Sequence, residues 1–255
     1  MGELEERLRA VREGGRHAFV PYVTGGFPGV DVALLQDLAA AGADAIEVGI
    51  PHSDPIMDGG VVQEASRVAL EAGTRPGDVL ATIGDADLSI PVAVMTYMNP
   101  VFRIGYEAFA ASLEAAGITG AIVPDLPVDE CADLGAAAEA HGVDVVLLAA
   151  PGASAERTAM IGRTSHGFVY CVATYGVTGA RETLEGTARD VVETLRPATD
   201  LPLLVGVGIS TPDQARDACG FADGVIVGSA LMAPMLEGQR GEVLVAAEAF
   251  RRAIA

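Results

Sequence analysis

The chain has 255 residues, half of them hydrophobic, enough to bury one large core. Acidic residues outnumber basic ones 35 to 16, the formal net charge is -19, and every basic residue is an arginine. That balance excludes the clustered basic surface that nucleic acid or an anionic membrane requires, and no apolar run is long enough to span a bilayer.

The charged N-terminal stretch, Met-Gly-Glu-Leu-Glu-Glu-Arg, lacks the apolar segment of a secretory signal. Cys131, Cys171 and Cys219 are scattered and form no CxxC pair, so neither a disulfide framework nor a zinc site is expected. The expected compartment is the cytoplasm.

In chain order, Leu4–Val11 has the pattern of a first helix. Short apolar, β-branched runs then alternate with Ala-rich amphipathic ones. Strands are expected at Ala18–Val23, Ala45–Ile50, Val92–Tyr97, Ala121–Pro124, Val143–Ala149, Phe168–Val172, Leu203–Val207 and Val225–Val227. Their near-continuous hydrophobicity fits parallel strands covered on both faces. Helices are expected at Asp31–Ala41, Val61–Ala72, Tyr106–Ala116, Asp129–Ala140, Ser154–Arg163, Thr211–Cys219 and Val243–Ile254. Asp31, Ser154 and Thr211 stand where N-caps belong, and Gly42, Gly117 and Gly142 stand where helices stop. Eight strand–helix repeats in a chain of this length predict an α/β fold, a (β/α)8 TIM barrel, with the first helix covering its base. A doubly wound open sheet is the competing arrangement. No linker or change of composition divides the chain, so residues 1–255 are expected to form a single domain.

In a barrel of this kind chemistry sits at the C-terminal ends of the strands. Glu47 interrupts the apolar second strand, and a carboxylate there either enters the barrel mouth or sits in a buried ion pair. With few cations available, a carboxyl of raised pKa suited to acid–base work is favoured. The loop Pro51–Gly60 that follows has the length of a lid, with Asp58 placed to swing over the mouth and Asp54 to orient the loop. Three glycine-rich turns, at Gly176–Gly179, Gly206–Ser210 and Gly228–Ala230, follow the last three strands. Backbone N–H groups in such turns, with the Ser229 hydroxyl opening a short helix, suit a phosphate. A dinucleotide site is disfavoured, because Gly206-Val-Gly208 lacks the third glycine and lies too late in the chain. His17, His141 and His166 fall at element boundaries and read as surface or capping residues.

Several stretches carry a resemblance that runs from about Phe19 to Leu231. They are Phe19-Val-Pro-Tyr-Val-Thr, Ala41-Gly-Ala-Asp-Ala-Ile-Glu-Val-Gly-Ile-Pro-His-Ser-Asp-Pro, Tyr97-Met-Asn-Pro, Val123-Pro-Asp-Leu-Pro, Gly176-Val-Thr-Gly and Gly206-Val-Gly-Ile-Ser. Together they resemble the tryptophan synthase α-subunit family, and the second is long and specific. The resemblance implies cleavage of indole-3-glycerol phosphate to indole and glyceraldehyde 3-phosphate, without metal or cofactor. It implies a pyridoxal-phosphate β subunit as partner in an α2β2 assembly. It assigns acid–base catalysis to Glu47, stabilisation of the indole N–H to Asp58, and a place beside Glu47 to Tyr170. Tyr22, Met95, Tyr97, Ile122 and Leu148 match the indole pocket, and Thr178 matches a latch for Asp58. Gly179, Gly208, Gly228 and Ser229 match the phosphate site, and Pro51, Asp54 and Asn99 match the surface that faces the partner.

The chain departs from the family pattern at His52, where an aromatic residue is usual, and at Gly60, where proline is usual. Val207 stands where phenylalanine is common, and Ala173-Thr-Tyr-Gly where many members carry Ser or Arg. Two loop changes fall on the lid that faces the partner in the family. Three other functions stay open at this level: a free-standing indole-3-glycerol phosphate lyase, a non-catalytic activator of a β subunit, and another phosphate-barrel isomerase or aldolase. A Schiff-base aldolase is excluded by the absence of lysine.

Overall fold

The computed structural model describes residues 1–172, 181–206 and 208–255, with side chains from residue 187 onward in the helix that begins at Arg181. A first helix, Glu3–Glu13 (α1), leads into the strand Ala18–Thr24 (β1). There follow α2 (Val32–Ala40), β2 (Ile46–Gly49), α3 (Gly60–Glu71), α4 (Pro76–Asp85), β3 (Val92–Met95), α5 (Met98–Ile104), α6 (Tyr106–Ala115) and β4 (Gly120–Ile122). A short 3-10 turn at Val128–Glu130 precedes α7 (Ala132–Ala140) and β5 (Asp144–Ala149). The second half continues with α8 (Ala155–Thr164), β6 (Val169–Val172), α9 (Arg181–Leu195), β7 (Leu203–Gly206), α10 (Pro212–Cys219), β8 (Gly224–Val227), α11 (Ser229–Leu236) and α12 (Arg240–Ala253).

The eight strands are parallel and close into a barrel, β8 returning to β1 through Ala18–Gly224 and Val20–Ile226. Closure excludes the open sheet. The alternation of strands and helices serves either arrangement, since parallel strands need both faces covered; here side chains fill the inside and helices cover the outside. The expected caps form. Asp31 accepts from the N–H of Leu34, Ser154 from that of Arg157 and Thr211 from that of Gln214, with Pro212 in the first turn. Among the described residues no helix is long and apolar enough to cross a membrane.

Four helical features were not legible as expected. The helix expected over Asp129–Ala140 is interrupted, because the Glu130 N–H donates to the Pro127 carbonyl at 2.9 Å and closes a tight turn before Cys131. α4, α5 and α9 have no counterpart among the expected elements. α5 owes its start to a distant residue: the Met98 N–H donates to Asp125 Oδ1 at 2.8 Å.

The base of the barrel is closed by α1. Gly2 offers α1 no side-chain cap, and Asp144, from β5, substitutes for one by accepting the Glu5 N–H at 3.0 Å. Leu4 is fully buried against Gly120, where a Cβ would come within 2.6 Å of it. Beside it Asp44 accepts from the guanidinium groups of Arg7, Arg16 and Arg251 and from the Phe19 N–H.

Candidate active site

Strand register assembles the opposite end. Tyr22 of β1 pairs with Glu47 of β2, and Leu148 of β5 pairs with Tyr170 of β6. These positions face the barrel interior. The Tyr22 ring occupies the space that a Cβ on Gly49 would need, and the Tyr170 ring that of a Cβ on Gly206. The two glycines are therefore what admits two large rings to one barrel mouth. Met95 and Leu148 are only partly buried while their strand neighbours are covered, so they border the opening; Ile122, the register partner of Met95, is fully buried.

Glu47 lies among these rings and is 1% exposed. Its Oε2 has no hydrogen-bond partner and no described guanidinium pairs with it. Burial pushes its pKa up to about 8, and the negative charge of Asp58 adds to the shift. Asp58 is half-buried. Burial pushes its pKa up to about 6, opposed by a hydrogen bond from Tyr97 that favours the charged form. The hydroxyls of Tyr22 and Tyr170 are driven well above their usual range by burial and then by the two carboxylates, so both stay protonated. Tyr22 also shares a hydrogen bond of 3.2 Å with Thr24.

The loop after β2 is pinned over this site. Tyr97 donates from its hydroxyl to Asp58 Oδ2 at 3.2 Å and accepts from the Met57 N–H at 3.0 Å. Gln63, in the first turn of α3, donates to the carbonyl oxygens of Asp58 at 2.9 Å and Pro55 at 3.3 Å. The Asp58 N–H closes a turn on Pro55 at 3.0 Å. The His52 imidazole stacks on the Tyr97 ring, centroids 4.6 Å apart and planes 17° apart. Gly60 belongs to α3, so the loop ends one residue earlier than the sequence suggested.

Across the mouth, Gly208 has φ +97, and Gly228 stands at the N-cap of α11 without a side-chain cap, just before the exposed Ser229; helix starts of this kind suit an anion. A Cβ on Gly59 would lie 3.9 Å from Ser229 Oγ, so the start of α3 approaches the same spot. Thr178, Gly179 and Val207 lie outside the described residues. Of the residues expected to face a partner, Asp54 and Asn99 are exposed and Pro51 is half-buried. Large apolar side chains stand in solvent beside them: Ile56 at 65%, Phe102 at 72% and Ile104 at 54%. An open cleft of about 680 Å3 runs along the outer side of the loop, lined by residues such as His52, Ile56, Arg67 and Leu70, and includes neither Glu47 nor Asp58.

Thr24, Gln63, Asp125 and the packing role of His52 escaped sequence reasoning. A glycine within an apolar strand, as at Gly49 and Gly206, was the signal that could have located the inward rings. Metal-ligating side chains come close together at the base, where Glu5, Asp144 and His166 offer atoms within 4.8 Å of one another. Glu5 is held by Arg9 there, and Asp144 caps α1, uses that account for both carboxylates.

The family model for the tryptophan synthase alpha chain matches residues 8–252. The tryptophan synthase alpha chain of Streptomyces avermitilis is 45% identical over 240 residues, covering 92% of this chain and 87% of that one. That of a Picosynechococcus species is 41% identical over 255 residues, covering 98% and 97%. Among solved structures, Mycobacterium tuberculosis tryptophan synthase superposes with a TM-score of 0.91 at 38% identity, covering 99% of this chain and 98% of that chain. The tryptophan synthase subunit alpha of Legionella pneumophila superposes with a TM-score of 0.88 at 32% identity, covering 100% and 98%. The chain belongs to the tryptophan synthase alpha chain family, the lyase-type subunit of tryptophan biosynthesis.

Proposed function

We propose that this chain cleaves indole-3-glycerol phosphate to indole and glyceraldehyde 3-phosphate by a retro-aldol reaction, with Glu47 and Asp58 as its catalytic pair. The supporting observation is two carboxyls at one mouth, free of described cations, whose pKa values stand apart at about 8 and about 6. Near neutrality Glu47 is protonated and Asp58 is charged, the division of labour the chemistry needs. Glu47 delivers its proton to indole C3, and positive charge develops on the ring nitrogen. Asp58 faces that N–H and offsets the charge. Glu47, now ionised, takes the hydroxyl proton of the glycerol carbon attached to C3. The carbonyl forms, the C–C bond breaks, and its electron pair returns to the ring and quenches the charge.

Tyr170 sits beside Glu47 in this reading, and Tyr22, Met95, Tyr97, Ile122 and Leu148 enclose the indole. Gly208, Gly228 and Ser229 hold the phosphate, with Gly179 and the Thr178 latch completing the site. We also propose a pyridoxal-phosphate β subunit as partner, in an α2β2 assembly docking over Pro51, Asp54 and Asn99. The exposed Ile56, Phe102 and Ile104 on the same side of the mouth support it, since apolar side chains gathered in solvent suit a partner surface. Residues 1–255 acting as one domain, in the cytoplasm, complete the reading. The termini support the first point, because α1 and α12 both pack on the barrel through Leu8, Val243 and Phe250. Three buried free thiols suit the second.

Indole release from indole-3-glycerol phosphate, measured with and without a β subunit, tests substrate, reaction and partner together. Slow release that accelerates strongly with the partner is expected. Fast release indifferent to the partner would instead identify a free-standing lyase, and no release in either case would remove the activity.

A further inference from the structure

We infer that the imidazole of His52 is a positioning residue for Asp58, acting through the ring of Tyr97; the inference rests on the reading of Asp58 as the group facing the indole N–H. Tyr97 stands just before α5 with an extended backbone (φ -85, ψ 159), so the helix itself does not orient its ring. Its neighbours do. His52 covers one face of the ring, and the Tyr97 hydroxyl bonds Met57 and Asp58. His52 and Asp58 are the two ends of one loop segment, so that segment grips Tyr97 twice, by its face and by its hydroxyl.

The consequence is directional. Among the described residues the Tyr97 hydroxyl is the one donor to the Asp58 carboxylate. The other groups acting on or acted on by that carboxylate are Glu47, Tyr22 and Tyr170, and none is a cation. A ring held flat by His52 keeps the hydroxyl on Oδ2, which favours the charged carboxylate the chemistry requires. Removing the stack loosens the ring and weakens that bond, while the side chains that enclose the indole are all retained. A phenyl group at position 52 offers the same flat face, so the function belongs to the ring plane rather than to the imidazole charge.

The test combines the carboxyl NMR titration of Asp58, assigned with Asp58→Asn, and steady-state indole release, both on the full chain. Tyr97→Phe should raise the Asp58 midpoint by roughly one pH unit, the size of a lost hydrogen bond to a charged group. His52→Ala should raise it by about half as much and lower kcat roughly fivefold, with KM within about twofold of the unchanged protein. His52→Phe should restore both. If His52→Ala folds poorly, His52→Leu, which keeps bulk without a flat face, takes its place with the same expectation. An Asp58 midpoint unmoved by loss of the ring, or moved equally by phenylalanine and alanine, would overturn the role of His52. A chain that releases no indole would refute the proposed reaction instead, and the titration would still decide the question about His52.

Discussion

Two carboxylates lie three positions apart, Asp44 just before β2 and Glu47 within it, each 1% exposed, and they are treated in opposite ways. Asp44, at the base, meets Arg7 at 3.2 Å, Arg16 at 3.3 Å, Arg251 at 3.1 Å and the Phe19 N–H at 3.2 Å. Glu47, at the mouth, meets no described guanidinium, and its Oε2 has no donor. The chain has only 16 basic residues, and three of them converge on the carboxylate that carries no proposed chemistry. A buried charge surrounded by partners holds chain segments together, here α1, β1 and α12 at one point. A buried acid denied partners keeps its proton to higher pH and becomes reactive near neutrality. On the proposed reading, the barrel separates stability at its base from chemistry at its mouth.

Substitutions at the two ends should break in different ways. Glu47→Gln should lower kcat by roughly a thousandfold while the substrate still binds and the thermal midpoint holds or rises, because an acid catalyst is lost and a costly buried group removed. Kinetics and thermal unfolding on one preparation would check both parts. Asp44→Ala should do the reverse. Leaving three guanidinium groups around an empty site should cost about 3–5 kcal/mol in denaturant unfolding, with kcat per folded molecule nearly unchanged.

Asp58→Asn sharpens the contrast within the mouth, since a neutral amide retains the shape but cannot offset ring charge. A loss in kcat of roughly a hundredfold or more is expected. A single-site mutant of normal turnover would take Asp58 out of the mechanism. The pH dependence is the gentlest probe. Below about 6 Asp58 gains a proton and its charge is lost, and above about 8 Glu47 loses the proton it must deliver. The rate should therefore peak between those values, with both limbs belonging to the interacting pair. Glu47→Gln should erase the alkaline limb, whereas Asp44→Ala should leave the profile in place.

The strands were legible because a parallel barrel demands near-continuous apolar runs, and Glu47 was legible because it broke one. Caps read equally well where both partners are neighbours, as at Asp31, Ser154 and Thr211. What stayed hidden depends on residues far apart in the chain. α5 begins on Asp125, which comes from the loop after β4. The role of Asp44 was not legible at all, because its arginines come from both ends of the chain, Arg251 lying 207 positions away. His52 looked like a departure from the family, and only its stacking on Tyr97 gives it a place beside the carboxylate it supports. The expected Thr178 latch, Gly179 and the Val207 change fall outside the described residues.

The contrast between the two carboxylates rests on the proton that Glu47 keeps. Its carboxyl titration, followed by NMR in the intact chain and assigned with Glu47→Gln, measures that property directly. The account predicts a midpoint of about 8. A midpoint in the ordinary glutamate range, near 4.5, would contradict it and leave Glu47 with no advantage over any exposed carboxylate.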